Sequence, residues 1–471
     1  MNPRLSLAHL LGPRGARIAV AMEAGRRFLG DGDPGRLLPR LGEEIAEIPA
    51  FVSIDKSPLP AGYGGGCGGG AEDFLVGQGL FYVNERRRLL LDCTSGHYQV
   101  LWGYGHRDLT AALVAAQEAG VVWDNHSNIP QAPVKRLAER LVTLGNAPGE
   151  ADPLDTVLLG VCTGSVACAA ALKIQLKVFA RAHGTEATPV LVALRGNYHG
   201  TDMVAQGLRG LWPGLLRRCE VVVLEPNDAE ALDAVFRERG SRIAGFWAEP
   251  VMMNREAVAL EPGYLARAEA WCRETGALLC LDEIQTGFWL PEMFEYRRLG
   301  LRPDLVVLGK GLTAGFHPLS GLLLRRRHDV LEQYDAISTN GSAALPALVA
   351  LASIEMIEGQ AARIRDSGVR IQAGLRSLVS EFPGVLLAAE GRGHLAGLKF
   401  RSVAGALEFH RRLLEAGLWT RVHAYHEGHS TLLTKLGLLA DAVVIDGVMD
   451  RMREVLRRGS PCRPSASQGT P

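Results

Sequence analysis

Leu278 to Phe288 reads LLCLDEIQTGF. It opens as a strand buried on both faces and then delivers two adjacent carboxylates, Asp282 and Glu283. A charge at the end of an apolar strand is costly to bury unless a cation or a hydrogen-bond donor meets it, so this tip demands a partner. The same design recurs along the chain. DTVLLGV, PVLVAL, EVVVLE, IAGFWAE and DLVVLGK begin at Asp155, Pro189, Glu220, Ile243 and Asp304. Each is an apolar run followed by a polar tip and an amphipathic stretch. Near-continuous Val, Leu and Ile over five or six residues suits strands covered on both faces, and the intervening helical stretches supply the cover. The pattern predicts an α/β fold around a parallel sheet. Open sheets of this kind bind ligands just beyond the carboxyl ends of their strands. The tips CTGS, RGNYHG, EPND, AEPV, DEIQTG and GKG collect at that edge.

Whole-chain properties narrow the function. With 471 residues, 47% of them hydrophobic, the chain can bury a large core and form two lobes. Its 51 basic residues balance 51 acidic ones, so no global field favours nucleic acid or a membrane, and small molecules are the expected partners. LSLAHLLGP, near the N-terminus, is too short and interrupted for a signal core or a membrane span, which points to a soluble cytoplasmic protein. Eight cysteines occur without a CxxC pair, as reduced core residues rather than a disulfide frame or zinc site, and no metal is expected. The glycine run from Gly62 to Gly70 contains GxGxxG, but the loop KSPLPA precedes it instead of a strand. It reads as a flexible loop or lid, not a dinucleotide fingerprint. The terminal GSPCRPSASQGTP reads as a disordered tail.

The strand tips carry the chemistry. Lys310, between Gly309 and Gly311, follows the strand DLVVL and could serve as a Schiff-base nucleophile, although GKG alone also describes a solvated loop lysine. Asp282 could face a protonated pyridine nitrogen, or merely cap a helix or join a salt bridge. In CTGSVACAAALKIQ, Thr163, Gly164 and Ser165 stand where a strand gives way to a small-residue helix, an arrangement that suits a phosphate or an ordinary capped helix. Tyr198, in NYHG, offers a flat face for stacking. An amine, a carboxylate, a phosphate cradle and a stacking ring together describe pyridoxal 5′-phosphate.

From about Asp92 to Phe400 the sequence resembles the class III aminotransferases, fold type I pyridoxal-phosphate enzymes. The resemblance rests on YHG, AEPV, LDEIQTGF, PDLVVLGKGLTAGFHPLSGLL and GRGHLAGLKF in that order. It implies a mostly parallel seven-stranded sheet in a large domain, with a smaller α+β domain built from both chain ends. The corresponding boundaries are an N-terminal helical extension (1–60), the first part of the small domain (61–105), the large cofactor domain (106–345), the rest of the small domain (346–458) and the tail (459–471).

The resemblance also implies roles. Lys310 forms the internal aldimine and shuttles the 1,3-proton. Asp282 pairs with the pyridinium nitrogen, Gln285 reaches the phenolic oxygen, and Tyr198 stacks on the ring with His199 beside it. Thr163, Gly164 and Ser165 hold the phosphate. Thr339, in STNGSAA, reaches the neighbouring subunit's phosphate in a homodimer with shared active sites; the same stretch could equally be a local turn. Glu283 turns away to structural hydrogen bonds.

The chain also departs from the family pattern. Val166 and Cys168 replace the usual Glu and Asn of the phosphate loop, and Ala343-Ala344 replaces an Asn-Pro pair. Near the C-terminus, LLTKLGLLAD offers Lys435 where many members carry a carboxylate-clamping arginine. Glu249, Lys435 and Arg421 are therefore the candidate substrate residues. The expected activity is transfer of an amino group between an amino donor and a carbonyl acceptor. The alternatives are an aminomutase, a racemase or epimerase, a decarboxylase, or a degenerate binding homologue.

Overall fold

The computed structural model describes residues 5–58, 73–122, 129–209, 219–333, 335–423 and 428–459. The glycine run 62–70 and the tail from 460 onward lie outside them. The chain divides into two compact units, one of residues 1–94, 369–389 and 397–471, the other of residues 95–368 and 390–396.

In the first unit, the helix Gly15–Leu29 buries Ile18, Ala21, Phe28 and Leu29 along one face. Strands β1 (Phe74–Gln78), β2 (Phe81–Asn84) and β3 (Leu89–Asp92) follow as an antiparallel meander.

The second unit is built on β4 (Thr156–Val161), β5 (Val190–Leu194), β6 (Glu220–Leu224), β7 (Ile243–Ala248), a short hairpin of β8 (Val251–Met252) and β9 (Val258–Ala259), β10 (Leu278–Asp282), β11 (Leu305–Leu308) and β12 (Ser320–Leu324). Seven of these form one sheet in the order β4-β12-β11-β10-β7-β5-β6. β10, which ends on Asp282, is its centre. Five residues of β10 and all four of β11 are buried, as a strand covered on both faces must be. Only β12 runs against the rest, pairing antiparallel with both β11 and β4. Sequence periodicity singled out the other six. β12, SGLLL, follows the glycine-flanked lysine without a crossover helix of its own, so the βαβ rhythm that marks the other strands is missing there.

The long helix Gly164–His183 packs against β4, β7, β10, β11 and β12 and carries the chain across the sheet from edge strand β4 to β5. Its alanines Ala167, Ala170 and Ala171 are buried, and such small side chains let helix and sheet approach closely. Gln175 ties the layers together: it accepts from the Trp247 indole N–H at 2.6 Å and donates to the Leu278 carbonyl at 2.9 Å. Helix Ala344–Gly359 is apolar on nearly every side because it packs against helices Arg107–Glu118 and Ala132–Gly145 and the turn Lys310–Thr313. Among the described residues no single helix is long and apolar enough to cross a membrane.

The chain ends with β13 (Leu386–Arg392), β14 (Leu395–Phe400), β15 (Leu418–Trp419), β16 (Arg421–Val422) and β17 (Thr431–Thr434). β15 extends the first unit's meander beside β3, and β13-β14-β17-β16 form a further sheet. Lys435, just after β17, is fully buried, and its backbone N–H donates to the Cys93 carbonyl at 2.6 Å.

Candidate active site

Parallel strands point their carboxyl ends to one edge, so residues far apart in sequence meet there. β10 delivers Asp282 beside Val307 of β11, and the chain of β11 reaches Lys310 three residues later. β7, on the other side of β10, delivers Glu249, and β5 leads to Tyr198 and His199.

The Lys310 backbone has φ 35°, a left-handed conformation that costs a non-glycine residue energy. Its glycine neighbours stand close to other parts of the chain. A Cβ on Gly309 would lie 3.1 Å from Ser320 Oγ, and one on Gly311 3.0 Å from the Gly287 carbonyl oxygen. Small residues at both positions give the lysine tip room between these neighbours. Lys310 Nζ stands 5.9 Å from the centre of the Tyr198 ring. Burial lowers the ammonium's pKa from the ordinary lysine value, opposed by the carboxylates of Asp282 and Glu249.

Asp282 is buried, and three donors meet it. The Ile284 N–H donates to Oδ1 at 2.9 Å, while His199 Nδ1 and the Cys168 thiol approach Oδ2 at 2.7 and 3.7 Å. The His199 ring is held in turn against Trp247, centroids 4.9 Å apart. Glu249, also buried, accepts from the Tyr198 backbone N–H at 2.8 Å and faces the Gln285 amide at 3.5 Å. Burial raises the Glu249 pKa, and the nearby Asp282 charge adds to the rise. The Gln285 amide donates to Asn254 Oδ1 at 3.0 Å.

Thr163 is the N-cap residue of helix Gly164–His183, with φ −135° and ψ 153°. Ser165, in the first turn, accepts from the Thr201 N–H at 3.1 Å. Gly200 has φ 120°, and a Cβ there would lie 2.4 Å from Ser165 Oγ. Only glycine lets the YHG loop close on this helix terminus, whose free N–H groups and dipole favour an anion.

Lys310, Asp282, His199, Tyr198, Glu249 and Gln285 therefore gather at one sheet edge, with Thr163, Gly164 and Ser165 at the helix start. Thr339 is exposed, on a loop pinned to β4 by the Ser338 N–H to the Gly160 carbonyl at 2.8 Å and the Ser342 N–H to the Leu159 carbonyl at 3.0 Å. Lys435 and Arg421 belong to the other compact unit. Lys435 is buried rather than solvated; Arg421 is half-buried, with Nε 2.8 Å from His423 Nε2.

Sequence reasoning treated Cys168 as a core cysteine and overlooked Asn254 and Trp247. Cys168 lies three residues after Ser165, hence on the same helix face, which is the signal that could have found it.

Glu283, the first residue past β10, meets a different set of partners. It is fully buried and accepts from the Thr286 hydroxyl and, at 2.8 Å, from the Tyr296 N–H. Burial pushes its pKa up to about 8, with the neighbouring Glu295 contributing and the Thr286 bond opposing. The folded protein therefore binds a proton here that the unfolded chain releases near pH 4.3. The resulting stability is fully present below that pH and is lost as pH rises through about 8, with a slope of up to about 1.4 kcal/mol per pH unit. Glu283→Gln should flatten this slope. Thermal melting at intervals from pH 5 to 8.5 checks it, and an unchanged slope in the variant refutes the assignment.

A family model described as aminotransferase class III matches residues 75–456. The acetylornithine aminotransferase of Xylella fastidiosa is 32% identical over 336 residues, 68% of this chain and 77% of that one. The glutamate-1-semialdehyde 2,1-aminomutase of Thermus thermophilus is 29% identical, covering 66% and 74%. Among solved structures, the ornithine aminotransferase of Toxoplasma gondii superposes with a TM-score of 0.72 at 22% identity, over 83% of this chain and 92% of that one. A transaminase from the marine bacterium Virgibacillus gives 0.72 at 20% identity, over 83% and 94%.

Proposed function

Because this chain belongs to the class III aminotransferases, pyridoxal-phosphate enzymes of fold type I that move an amino group from a donor to a carbonyl acceptor, we propose that Lys310 and Asp282 are its catalytic pair. The observation that carries this reading is their delivery by adjacent strands to one edge, with Asp282 oriented by His199 at 2.7 Å. The residues present fit the cofactor: a buried carboxylate for a ring nitrogen, an aromatic face at Tyr198, and the helix terminus at Thr163, Gly164 and Ser165 for a phosphate.

When bound, pyridoxal phosphate supplies a carbonyl to receive the amine and a ring that draws electrons from the donor's α-carbon. Lys310 Nζ is the amine that would hold the cofactor covalently and take the proton from the donor carbon. Its burial favours the neutral, nucleophilic amine. Asp282 would keep the ring nitrogen protonated, and His199, 2.7 Å from its Oδ2, holds Asp282 in place. Tyr198 would cover a ring face, and Gln285, set by Asn254 and Glu249, would reach the phenolic oxygen. Thr339, exposed in the single chain, completes the phosphate site of a partner subunit in a cytoplasmic homodimer.

We assign Glu249, Lys435 and Arg421 to substrate recognition. A lysine is a point charge and does not reproduce a bidentate guanidinium clamp. The preferred donor therefore carries its amine away from a carboxylate. Lost charge-assisted hydrogen bonds are worth about 1.5–3 kcal/mol each, enough to redirect specificity tenfold or more. The test compares kcat/KM for two donors differing only in the α-carboxylate, in the wild type and in Lys435→Ala. Preference for the carboxylate-free donor is the expected result. A strong preference for the carboxylated donor that survives Lys435→Ala refutes both the substrate class and the role of Lys435. The 29% identical aminomutase motivates a second reading, transfer within one molecule. Release of a keto product from the donor separates the two, since an aminomutase releases none.

A further inference from the structure

We propose that, without its organic cofactor, this chain binds one zinc-like divalent ion between Cys168 Sγ, His199 Nδ1 and Asp282 Oδ2, and that ion and cofactor exclude each other. The three ligand atoms lie within 4.8 Å of one another, on side chains that are 0%, 0% and 2% exposed. They come from the first turns of helix Gly164–His183, the loop after β5 and the tip of β10.

The donor set suits a borderline-soft cation. Thiolate and imidazole select zinc or copper over magnesium, calcium or manganese. Zinc bonds of roughly 2.0–2.3 Å put tetrahedral ligand atoms about 3.3–3.6 Å apart. The observed spacings from Oδ2, 2.7 Å to Nδ1 and 3.7 Å to Sγ, reach this by shifts well under an ångström. Thiolate and carboxylate together neutralise a divalent charge, which a buried site requires. Three protein ligands leave a fourth position open. Ion and ring nitrogen would both need the Asp282 carboxylate, so the exclusion rests on the cofactor reading given above while the metal site itself does not.

Binding needs no further reactant. The Cys168 S–H bond breaks, the sulfur forms the metal bond with its own electron pair, and the proton leaves to solvent. The hydrogen on His199 Nδ1 moves to Nε2, a buried atom without a hydrogen-bond partner among the described residues, and frees the Nδ1 lone pair.

The experiment strips the full-length protein of cofactor and titrates it with Zn²⁺ alone against a chromophoric chelator, then with Co²⁺ to seek a thiolate-to-metal charge-transfer band. One ion per chain, the cobalt band, and displacement by added pyridoxal phosphate are expected. Cys168→Ser, which preserves the side-chain volume, should abolish the cobalt band and weaken zinc by more than the roughly 10–100-fold that losing an outer partner costs. Circular dichroism establishes that the variant is folded, and His199→Gln gives the same readout if it is not. No binding, or undiminished binding in a folded variant, overturns the site. Simultaneous binding of ion and cofactor overturns the exclusion. A cofactor attached elsewhere than Lys310 would refute the catalytic reading but leave the one-ion stoichiometry unchanged.

Discussion

Lys310→Ala should leave a folded protein with no borohydride-stable cofactor adduct and an amino-transfer rate lower by at least on the order of 10⁴-fold, the upper end of what one positioned acid–base group contributes. The expected loss is large because the proposed role has two parts, covalent attachment and proton transfer. No other lysine of its unit is placed to substitute: Lys173 and Lys177 are engaged with Asp335, and Lys135 is exposed. Lys310→Arg should fare no better, since a guanidinium keeps the charge but stays protonated and cannot attack a carbonyl. Peptide mapping after borohydride treatment is the deciding measurement. An adduct on any other lysine removes Lys310 from the mechanism.

Asp282→Asn should keep the fold and some cofactor while lowering kcat by roughly 10²–10³-fold, comparable to losing a dedicated electrostatic partner of a transition state. The substitution conserves shape, and an asparagine carbonyl can still accept from the Ile284 N–H. What disappears is the charge that, in the proposed role, would hold a ring nitrogen protonated while the α-carbon loses its proton. The vacated carboxylate also leaves His199 Nδ1 facing an amide, so His199→Asn should show a weaker loss in the same direction. Activity of Asp282→Asn within about tenfold of wild type, about 1.4 kcal/mol, would make Asp282 a structural residue.

Much of this site was legible because each functional group follows its own strand. Lys310 comes two residues after Leu308, Asp282 ends β10, and His199 follows β5 by five residues, so a periodicity reading puts all three at the carboxyl edge. The opening pair Asp282 and Glu283 shows both the reach and the limit of that reading. Asp282 is the last residue of β10 and Glu283 the first beyond it, and the two carboxylates meet different partners. Which of them joins the lysine depends on what covers each face, and here helix Gly164–His183 brings Cys168 to Asp282, while Thr286 and Tyr296 meet Glu283.

The sequence by itself determined the α/β class, six of the seven strands of the sheet and the edge where polar tips collect, since these follow from local periodicity and turn chemistry. The tertiary structure alone decided strand order and the contacts that depend on it. Sheet order is not chain order: β7 separates β5 from β10, yet His199 crosses it, resting on Trp247, to reach Asp282, 83 residues on in the chain. Cys168, 114 residues away, arrives because its helix spans the sheet. β12, the one antiparallel strand, is held by its neighbours β11 and β4, whose backbone groups must be paired in a buried sheet. Long-range pairing of this kind leaves no period in the sequence, because its energy lies between segments rather than within them.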